Sequence, residues 1–175
     1  DKIIYKKFRM SSDLEEKIQN IKLEKKGNYY NILINEAPIH LTLPKMKIPF
    51  GIDQIGNDHV FKLSLFKIRE NLEYQRCINY IYSLEKKLGE LLETDTLKSN
   101  IYSHPKYDPT IAIKIPSSRG NNISTDIFDS DGTPLSLFDL QKGDNVVCDV
   151  VIDTIWVGRG KFNYKIKAKK IKKCV

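Results

Sequence analysis

The sequence has 175 residues, a length typical of one domain that can bury a core without the help of disulfides or metals. Lysine and arginine number 29 against 22 aspartate and glutamate residues, and the resulting net charge of +7 favours a polyanionic partner without requiring one. Three widely spaced cysteines argue against a disulfide scaffold and for a reducing compartment, and no apolar run approaches the roughly 20 residues that a membrane-spanning helix needs.

A short amphipathic helix is predicted close to the start of the sequence, after a strand at residues 2–9. Ser12 and Glu15 have the spacing of a capping box, in which each side chain accepts a hydrogen bond from a backbone N–H at the helix start. Gly27 can end the helix, because glycine readily adopts the left-handed conformation that follows many helices. We therefore expect residues 13–25 to be helical.

Runs of β-branched and aromatic residues, several of them alternating with polar residues, predict strands along much of the remaining chain. Turns rich in proline, asparagine and glycine separate these runs. A single helical turn is expected at residues 136–140. The predicted strands before the C-terminal region are residues 29–34, 39–43, 60–66, 110–115 and 123–128.

Residues 70–93 give the clearest helix of the sequence. Apolar side chains recur at spacings of three and four from Tyr74 to Leu92, whereas charged residues such as Glu85 fall outside that stripe. A helix with one apolar face of this kind is expected to cap a sheet. The residues that follow, 94–109, are mostly polar and include prolines, so they are predicted to form a loop.

Two long strands, residues 145–157 and 161–172, are predicted to form a C-terminal β-hairpin. A three-residue loop with Gly160 in the left-handed conformation would place Trp156 opposite Phe162. The fold and function expected from this region depend on that register, and Trp156 and Phe162 on opposite faces of the sheet would contradict both. In this register one mostly apolar face is shared by Val150, Ile152, Thr154, Trp156, Phe162, Tyr164, Ile166 and Ala168.

The second strand of this hairpin is strongly basic. On the face opposite the apolar one, Asp153 would pair with Lys165 and Asp149 with Lys169, which leaves a net positive stripe. The stripe is equally consistent with an edge strand that lysines protect from aggregation and with a track for a phosphate backbone. The lysines of the segment are Lys161, Lys165, Lys167, Lys169, Lys170, Lys172 and Lys173.

Four segments carry a family resemblance: residues 109–116 (PTIAIKIP), 125–132 (TDIFDSDG), 146–156 (VVCDVVIDTIW) and 160–167 (GKFNYKIK). Together they resemble the C-terminal half of the single-stranded-DNA-binding proteins of large nucleocytoplasmic DNA viruses, which are similar to phage OB-fold replication proteins. Many phage-type members end in an acidic tail, whereas this sequence ends Lys172-Lys173-Cys174-Val175.

The resemblance implies a mainly β fold with some α: one OB-fold-like antiparallel barrel over residues 1–175, capped by the helix at 70–93 and completed by the C-terminal hairpin. It also implies a non-enzymatic protein without a cofactor that coats unpaired viral DNA during replication, recombination or repair. We expect such a protein in the host cytoplasm or a viral replication factory, or packaged in the virion. The sequence leaves open whether RNA also binds, whether the chain forms a homo-oligomer and whether it contacts replication proteins; no membrane is expected.

OB-folds bind single strands through a basic groove with aromatic platforms, and several residues here fit such a site. Trp156, beside the hairpin tip, is either a stacking platform or a core residue that packs over Phe162. Of the adjacent Tyr29 and Tyr30, one is expected to face outward. The candidate nucleic-acid-binding residues are Trp156, Arg159, Lys161, Lys165, Lys167, Lys114, Arg119, Lys45, Lys47 and Tyr30.

Signatures of catalysis and of metal binding are weak in this sequence. The three histidines stand far apart, and neither nucleotide-binding glycine patterns nor nucleophile motifs occur. Asp129 and Asp131 begin a segment like a calcium loop, but the later ligand positions are apolar. A metal nuclease built on these aspartates and Asp126 is therefore disfavoured, and the stronger rival is an assembly module whose basic face meets an acidic protein.

Overall fold

The computed structural model describes residues 17–117 and 122–175. The predicted strand at residues 2–9, the capping residues Ser12 and Glu15, and the candidate Arg119 lie outside these ranges. The first seven strands are β1 (Ile21–Lys26), β2 (Tyr29–Ile34), β3 (Ile39–Thr42), β4 (Met46–Lys47), β5 (Ile52–Ile55), β6 (Asp58–Ser64) and β7 (Leu97–Lys98). The next seven are β8 (Ile101–Tyr102), β9 (Thr110–Ile115), β10 (Asp126–Phe128), β11 (Asn145–Ile152), β12 (Thr154–Gly158), β13 (Lys161–Tyr164) and β14 (Lys167–Cys174). Helix α1 spans Leu72–Leu91, and 3-10 turns span Ile68–Glu70 and Leu137–Asp139.

The barrel has five strands around its ring, and one of these places is shared by the short strands β3 and β4. β4 pairs with β6, β6 with β9 and β11 with β14, all antiparallel, while β11 pairs back onto both β3 and β4. The ring is completed by β9 and β14, which meet in parallel where Lys114 lies opposite Lys167. A five-position antiparallel barrel with one parallel closure is the arrangement of an OB-fold, so the predicted fold class is confirmed.

The alternation of apolar and polar residues fixes which side of each barrel strand faces the core. On β6, Phe61 and Leu63 are buried, and on β9, Ile111, Ile113 and Ile115 are buried. Lys62 and Lys114 lie between these residues in sequence and therefore point to the outer surface. The barrel thus carries a continuous apolar interior and a cationic exterior on these two strands.

Helix α1 confirms the prediction for residues 70–93. The side chain of Asn71 caps its first turn by accepting a hydrogen bond from the backbone N–H of Tyr74 at 3.0 Å. Its apolar face packs into the same core as the barrel strands, and each fully buried leucine there contributes roughly 2 kcal/mol. The buried residues of the helix are Cys77, Ile78, Tyr80, Ile81, Leu84 and Leu88.

A second sheet of five strands, in the order β1-β2-β12-β13-β7, projects from the barrel. β12 and β13 form the connection between barrel strands β11 and β14, so the two long strands predicted from sequence are each broken in two. The breaks fall at Asp153 and at residues 165–166. The chain bends there because β12 leaves the barrel and pairs with β2, where the N–H of Ile32 donates to the carbonyl of Asp153 at 2.8 Å.

The predicted hairpin register is wrong at the tip. Arg159 and Gly160 form a two-residue turn, with φ of 52° and 72°, in place of the expected three-residue loop. Trp156 consequently lies opposite Asn163, and Phe162 lies opposite Val157. Because a slip of one residue reverses every side chain, Trp156 and Phe162 lie on opposite faces of the sheet.

The OB-fold assignment survives this correction because barrel closure does not involve the hairpin tip. A stacking role for Trp156 stays a prediction, because the observed register turns its ring outward. Val150 does lie opposite Ala168, as predicted, and the ladder between β11 and β14 shifts register only at the next pair, between Val150 and Asp149. The expected charge pairs are also corrected: Asp153 binds Lys167 in place of Lys165, and Asp149 lies opposite Lys170 in place of Lys169.

The prediction of a helix over residues 13–25 is wrong for its described C-terminal part. Residues 17 and 18 are helical, but β1 begins at Ile21. β1 and β2 form a hairpin around Gly27, whose φ of +66° serves a two-residue turn instead of a helix end. Pairing with β2 decides the conformation here, because every residue of β1 lies opposite a residue of β2.

Smaller elements agree with the sequence in part. The strand predicted at residues 123–128 is confirmed only as β10, and the turn predicted at 136–140 is confirmed by the 3-10 turn. The predicted loop at 94–109 contains the short strands β7 and β8. Across the described ranges, α1 and the other helical segments are all too short or too polar to cross a bilayer as a helix.

Candidate nucleic-acid interface

The outer face of the projecting sheet carries a row of side chains that runs across all five strands. Lys26 lies opposite Tyr29, Tyr29 opposite Trp156, Trp156 opposite Asn163, and Asn163 opposite Lys98. The rings of Tyr29 and Trp156 pack at a centroid distance of 5.0 Å with an interplanar angle of 44°. The row therefore places two adjoining aromatic rings between a lysine at each edge of the sheet.

Burial identifies this face as the outer one. Ile155 and Tyr164 lie on the opposite face and are fully buried, whereas Trp156 keeps 45% of its surface exposed. Tyr30 is directed to the inner face and packs against the core, so Tyr29 is the outward tyrosine. The choice of Tyr30 from the sequence is thus corrected, because the inner side of β2 is set by the buried residue Ile32.

Lysine side chains extend the row along β13 and the residues after it, from Lys161 beside the hairpin tip to Lys165 on the barrel side. Lys161 and Lys165 share the outer face with Asn163, since alternate residues of an extended segment point the same way. The pKa of Lys165 is lowered, chiefly by burial and then by repulsion from Lys98 and Lys114. The ammonium of Lys165 therefore lies close enough to Lys98 and to Lys114 to be repelled by each, and a phosphate beside Lys165 would relieve that repulsion.

The cationic surface continues on the barrel wall. Lys114 and Lys167 lie opposite each other where β9 meets β14. On β6, the strand next to β9, the ammonium of Lys62 lies 4.5 Å from the ring centroid of Tyr102. The strands β6 and β9 are the second and third of the barrel in chain order, and in OB-folds the face of these two strands is the usual surface for oligonucleotides.

Two carboxylates hold the central lysines in place. The ammonium of Lys114 lies 3.2 Å from Asp58, and that of Lys167 lies 2.9 Å from Asp153. Burial raises the pKa of Asp58, but a hydrogen bond from the backbone N–H of Ser117 and the charge of Lys114 outweigh it and lower that pKa. Both pairs are partly exposed, so an incoming phosphate can replace the carboxylate oxygens.

A polar network beneath the face supports it. Glu85 of α1 accepts hydrogen bonds from the hydroxyl of Ser99, the backbone N–H of Asn100 and the hydroxyl of Tyr164. The side-chain amide of Asn100 donates to the carbonyl oxygen of Tyr164 at 2.9 Å. This network ties the segment that carries Lys98 to β13, and thereby fixes the lysine edge of the row.

The structure separates the candidates into groups. Arg159 lies at the exposed hairpin tip, next to the row, whereas Lys45 and Lys47 lie by the far end of β6. Trp156, Lys161, Lys165, Lys167 and Lys114 lie on the surface described above, and Arg119 falls outside the described ranges. Sequence reasoning missed Lys26, Lys62, Lys98, Tyr102 and Asn163.

Little in the sequence could have identified these five. β7 and β8 are two-residue strands within a polar segment, so they lack a periodic pattern that would predict them. Asn163 was expected on the outer face but opposite Ile155, so the register error kept it apart from Trp156. Only the alternation around Lys62 on β6 offered a signal, since the residues on either side of it are apolar.

Asp129, one of the acidic residues considered for a metal site, has a structural role in the turn that it begins. The carboxylate of Asp129 accepts hydrogen bonds from the backbone N–H groups of Asp131 and Thr133, both at 2.9 Å, and so forms a turn. Across residues 17–117 and 122–175, histidine, cysteine and acidic side chains do not form a group of three that could hold a metal ion.

Comparisons by sequence find no matching protein-family model and no matching curated protein. Comparison of structures does find matches. The single-stranded-DNA-binding protein gp2.5 of bacteriophage T7 superposes with a TM-score of 0.56 at 13% identity, covering 79% of this chain and 87% of that one.

A single-stranded-DNA-binding protein of bacteriophage Enc34 gives similar results. Its C-terminally truncated form has a TM-score of 0.55 at 12% identity and covers 89% of this chain and 93% of that one. The same phage protein in complex with single-stranded DNA has a TM-score of 0.53 at 13% identity and covers 89% and 95%. At these identities the likeness establishes a shared OB-like fold, and the specific resemblance to proteins of large nucleocytoplasmic viruses stays a prediction.

Proposed function

We propose that this protein binds single-stranded DNA with little sequence preference. The observation that carries the proposal is the row in which Tyr29 and Trp156 adjoin on an open sheet face, flanked by Lys26 and Lys98. Beside it, Lys165 experiences repulsion from Lys98 and from Lys114. Aromatic platforms within a cationic groove are the shared chemistry of proteins that bind unpaired strands.

The two kinds of side chain have different tasks in this proposal. Bases stack on Trp156 and Tyr29, and each stacked base contributes roughly 1–3 kcal/mol whatever its identity. Phosphates lie near Lys98, Lys161 and Lys165 and release counterions, which makes affinity fall with salt. A duplex keeps its bases paired and stacked internally, so it cannot use the aromatic platforms, and single strands are preferred.

The structural neighbours support the same proposal. The Enc34 protein, whose fold is similar over most of this chain, has been solved with single-stranded DNA bound. By extension we infer that this protein coats unpaired DNA during replication, recombination or repair of a viral genome, in the host cytoplasm or a viral replication factory. Contacts with replication proteins and self-association on the strand belong to this proposal as well.

The single tryptophan makes the proposal directly testable. Trp156 fluorescence should be quenched when an oligothymidine of about 16 nucleotides binds, because a base stacks on its ring. Anisotropy of a labelled strand should report binding at low salt that weakens steeply as salt rises. Replacing Lys165 by Ala should weaken binding to oligonucleotides of every composition to a similar degree.

Competition with duplex DNA separates this function from the rival one. A basic face that docks an acidic protein would take single strands and duplexes alike, through charge alone. Equal competition by duplex, or micromolar protein at low salt that neither binds the strand nor changes its tryptophan emission, would refute single-strand binding.

A further inference from the structure

A cationic cleft, separate from the aromatic row, lies at the C-terminal end of β6, the end opposite Asp58. Its volume is about 770 Å³. Lys47, one of the candidate residues named from the sequence, borders it. Among the described residues that line it, Glu70 carries the one negative charge. The side chains that matter here are Lys47, Ser64, Phe66, Lys67 and Lys142.

The outer side of β6 leads directly into this cleft. Lys62, Ser64 and Phe66 alternate with buried residues and so point to the same outer surface. Phe66 keeps 62% of its surface exposed, and the ammonium of Lys67 lies 5.6 Å from its ring centroid. The wall that begins at Lys114 therefore continues, through Lys62, to an exposed ring beside a cation.

The floor and sides of the cleft are fixed by the fold. Lys47 lies opposite both Ser64 and Asn145, so it stands in a register row on the barrel surface. The hydroxyl of Tyr74 donates to the carbonyl oxygen of Lys45 at 2.7 Å and joins α1 to this edge. The backbone N–H of Lys67 donates to the carboxylate of Asp108 at 2.9 Å, which holds the turn that carries Phe66.

We propose that the cleft binds a nucleotide of the same single strand, beyond the stretch held at Trp156. Its base lies against Phe66, and its phosphates lie between Lys47 and Lys142. This inference rests on the proposed function and extends it to a second contact region. An acidic peptide would also be attracted by the lysines, but the continuous outer surface from Lys114 to Phe66 favours one strand that follows the barrel wall.

Strand length distinguishes this cleft from the aromatic row. We compare oligothymidines of about 4 and about 16 nucleotides, a span that covers the range of site sizes for one OB-fold. Phe66→Ala should weaken binding of the long strand about 5- to 100-fold, the loss expected for one stacked base, and leave the short strand unaffected. Trp156→Ala should weaken both, and Tyr82→Ala, an exposed aromatic on α1, should weaken neither.

Salt dependence tests the phosphate contacts independently. The double variant Lys47→Ala, Lys142→Ala should reduce the slope of log affinity against log salt by about 1.4 for the long strand, because each lost phosphate contact removes about 0.7. The matched control is Lys86→Ala with Lys87→Ala, which removes the same charge from α1. Thermal unfolding followed by circular dichroism verifies that each variant is folded.

The outcomes separate the two proposals. If Trp156→Ala weakens binding while Phe66→Ala and the lysine pair behave like their controls, the cleft proposal is wrong and the proposed function stands. If the wild-type protein binds neither the short nor the long oligothymidine, the proposed function is refuted, and the cleft proposal that rests on it is refuted as well. If these variants retain the long strand but lose a labelled peptide of aspartate and phenylalanine, the cleft is a peptide site and the nucleotide proposal is overturned.

Discussion

The hydroxyl of Tyr164 donates a hydrogen bond to the carboxylate of Glu85, and this bond joins β13 to helix α1. Tyr164 is fully buried and lies on the inner face of the sheet whose outer face carries Trp156. The bond belongs to the network that also holds Ser99 and Asn100. The helix and the proposed DNA-binding face are thus coupled through one carboxylate.

Replacing Tyr164 by Phe should therefore destabilise the protein. The variant keeps the ring but removes a hydrogen bond to a charged acceptor, which costs about 1.5–3 kcal/mol. Urea unfolding followed by circular dichroism measures this change, and Tyr82→Phe on the exposed side of α1 is the control. Equal unfolding midpoints for Tyr164→Phe and the wild type would show that the bond contributes nothing to stability.

Stability should also decrease in alkaline solution. Burial raises the pKa of Cys77 to about 12 and that of Tyr80 to about 12. The pKa of Tyr164 is also raised, mainly by burial and to a smaller extent by the negative charge of Glu85. These groups hold their protons more tightly in the folded chain, so the stabilisation is complete below the pKa of the unfolded chain, about 9 for cysteine and 10 for tyrosine.

Above those values the unfolded state loses protons first, and the free energy of unfolding falls by roughly 1.4 kcal/mol per pH unit for each such group. Urea unfolding at several pH values between neutral and about 11 measures this decline. Cys77→Ala should make the decline shallower in the range where an unfolded cysteine ionises. A free energy of unfolding that stays constant across this range would contradict the expected effect of burial.

Much of the architecture follows from the sequence because it depends on local periodicity. Helix α1 and strands β2 and β9 have clear patterns of apolar residues, and each appears close to its predicted bounds. β1 does not match its prediction, which was a helix, because its strand conformation depends on pairing with β2. Gly27 is compatible with either a helix end or a two-residue turn, and only the partner strand decides between them.

The candidate site was harder to predict because it depends on register. Both hairpin registers place apolar residues on one face, and the tight turn at Arg159 and Gly160 selects the one that turns Trp156 outward. The sequence allowed Trp156 to be either a stacking platform or a core residue over Phe162. The observed register excludes the second, because the two residues lie on opposite faces of the sheet. Lys98 joins the row only through parallel pairing of β7 with β13, a long-range contact without a local pattern.

Loss of the outer ring should weaken DNA binding strongly. Trp156→Ala removes a stacking platform and should reduce affinity for oligothymidine by about 5- to 100-fold, whereas Trp156→Phe should retain part of it. Tyr29→Ala should show a smaller loss, and combining it with Trp156→Ala should give less than the sum of the two because the rings are in contact. Anisotropy titrations give these affinities.

Phe138 provides the control for this series, since 87% of its surface is exposed and it lies outside the row. Phe138→Ala should bind like the wild type. Full affinity in Trp156→Ala would mean that the strand binds elsewhere on the protein.

Removal of a competing carboxylate should strengthen DNA binding. Asp153→Asn frees the ammonium of Lys167, now 2.9 Å from that carboxylate, for a phosphate. Affinity should rise several-fold at low salt, and the salt dependence should become steeper by about 0.7 in slope if one phosphate contact is gained. Glu90→Gln, on the exposed side of α1, makes the same charge change away from the surface and should leave the slope unchanged.

Unaltered affinity in Asp153→Asn with a normal unfolding curve would mean that Lys167 does not contact the strand. A lowered affinity with a lower unfolding midpoint would instead assign Asp153 to holding the bend between β11 and β12, where its carbonyl oxygen also accepts from Ile32.

The ribbon of β12 and β13 is the direct continuation of barrel strands β11 and β14. A mechanical load on a DNA strand held at Trp156 is therefore passed through β12 into β11, where the backbone hydrogen bonds of β11 to β3, β4 and β14 share it. Ladders loaded in this shearing direction resist force better than ones that open a bond at a time. We expect force spectroscopy to show DNA leaving the protein before the barrel opens.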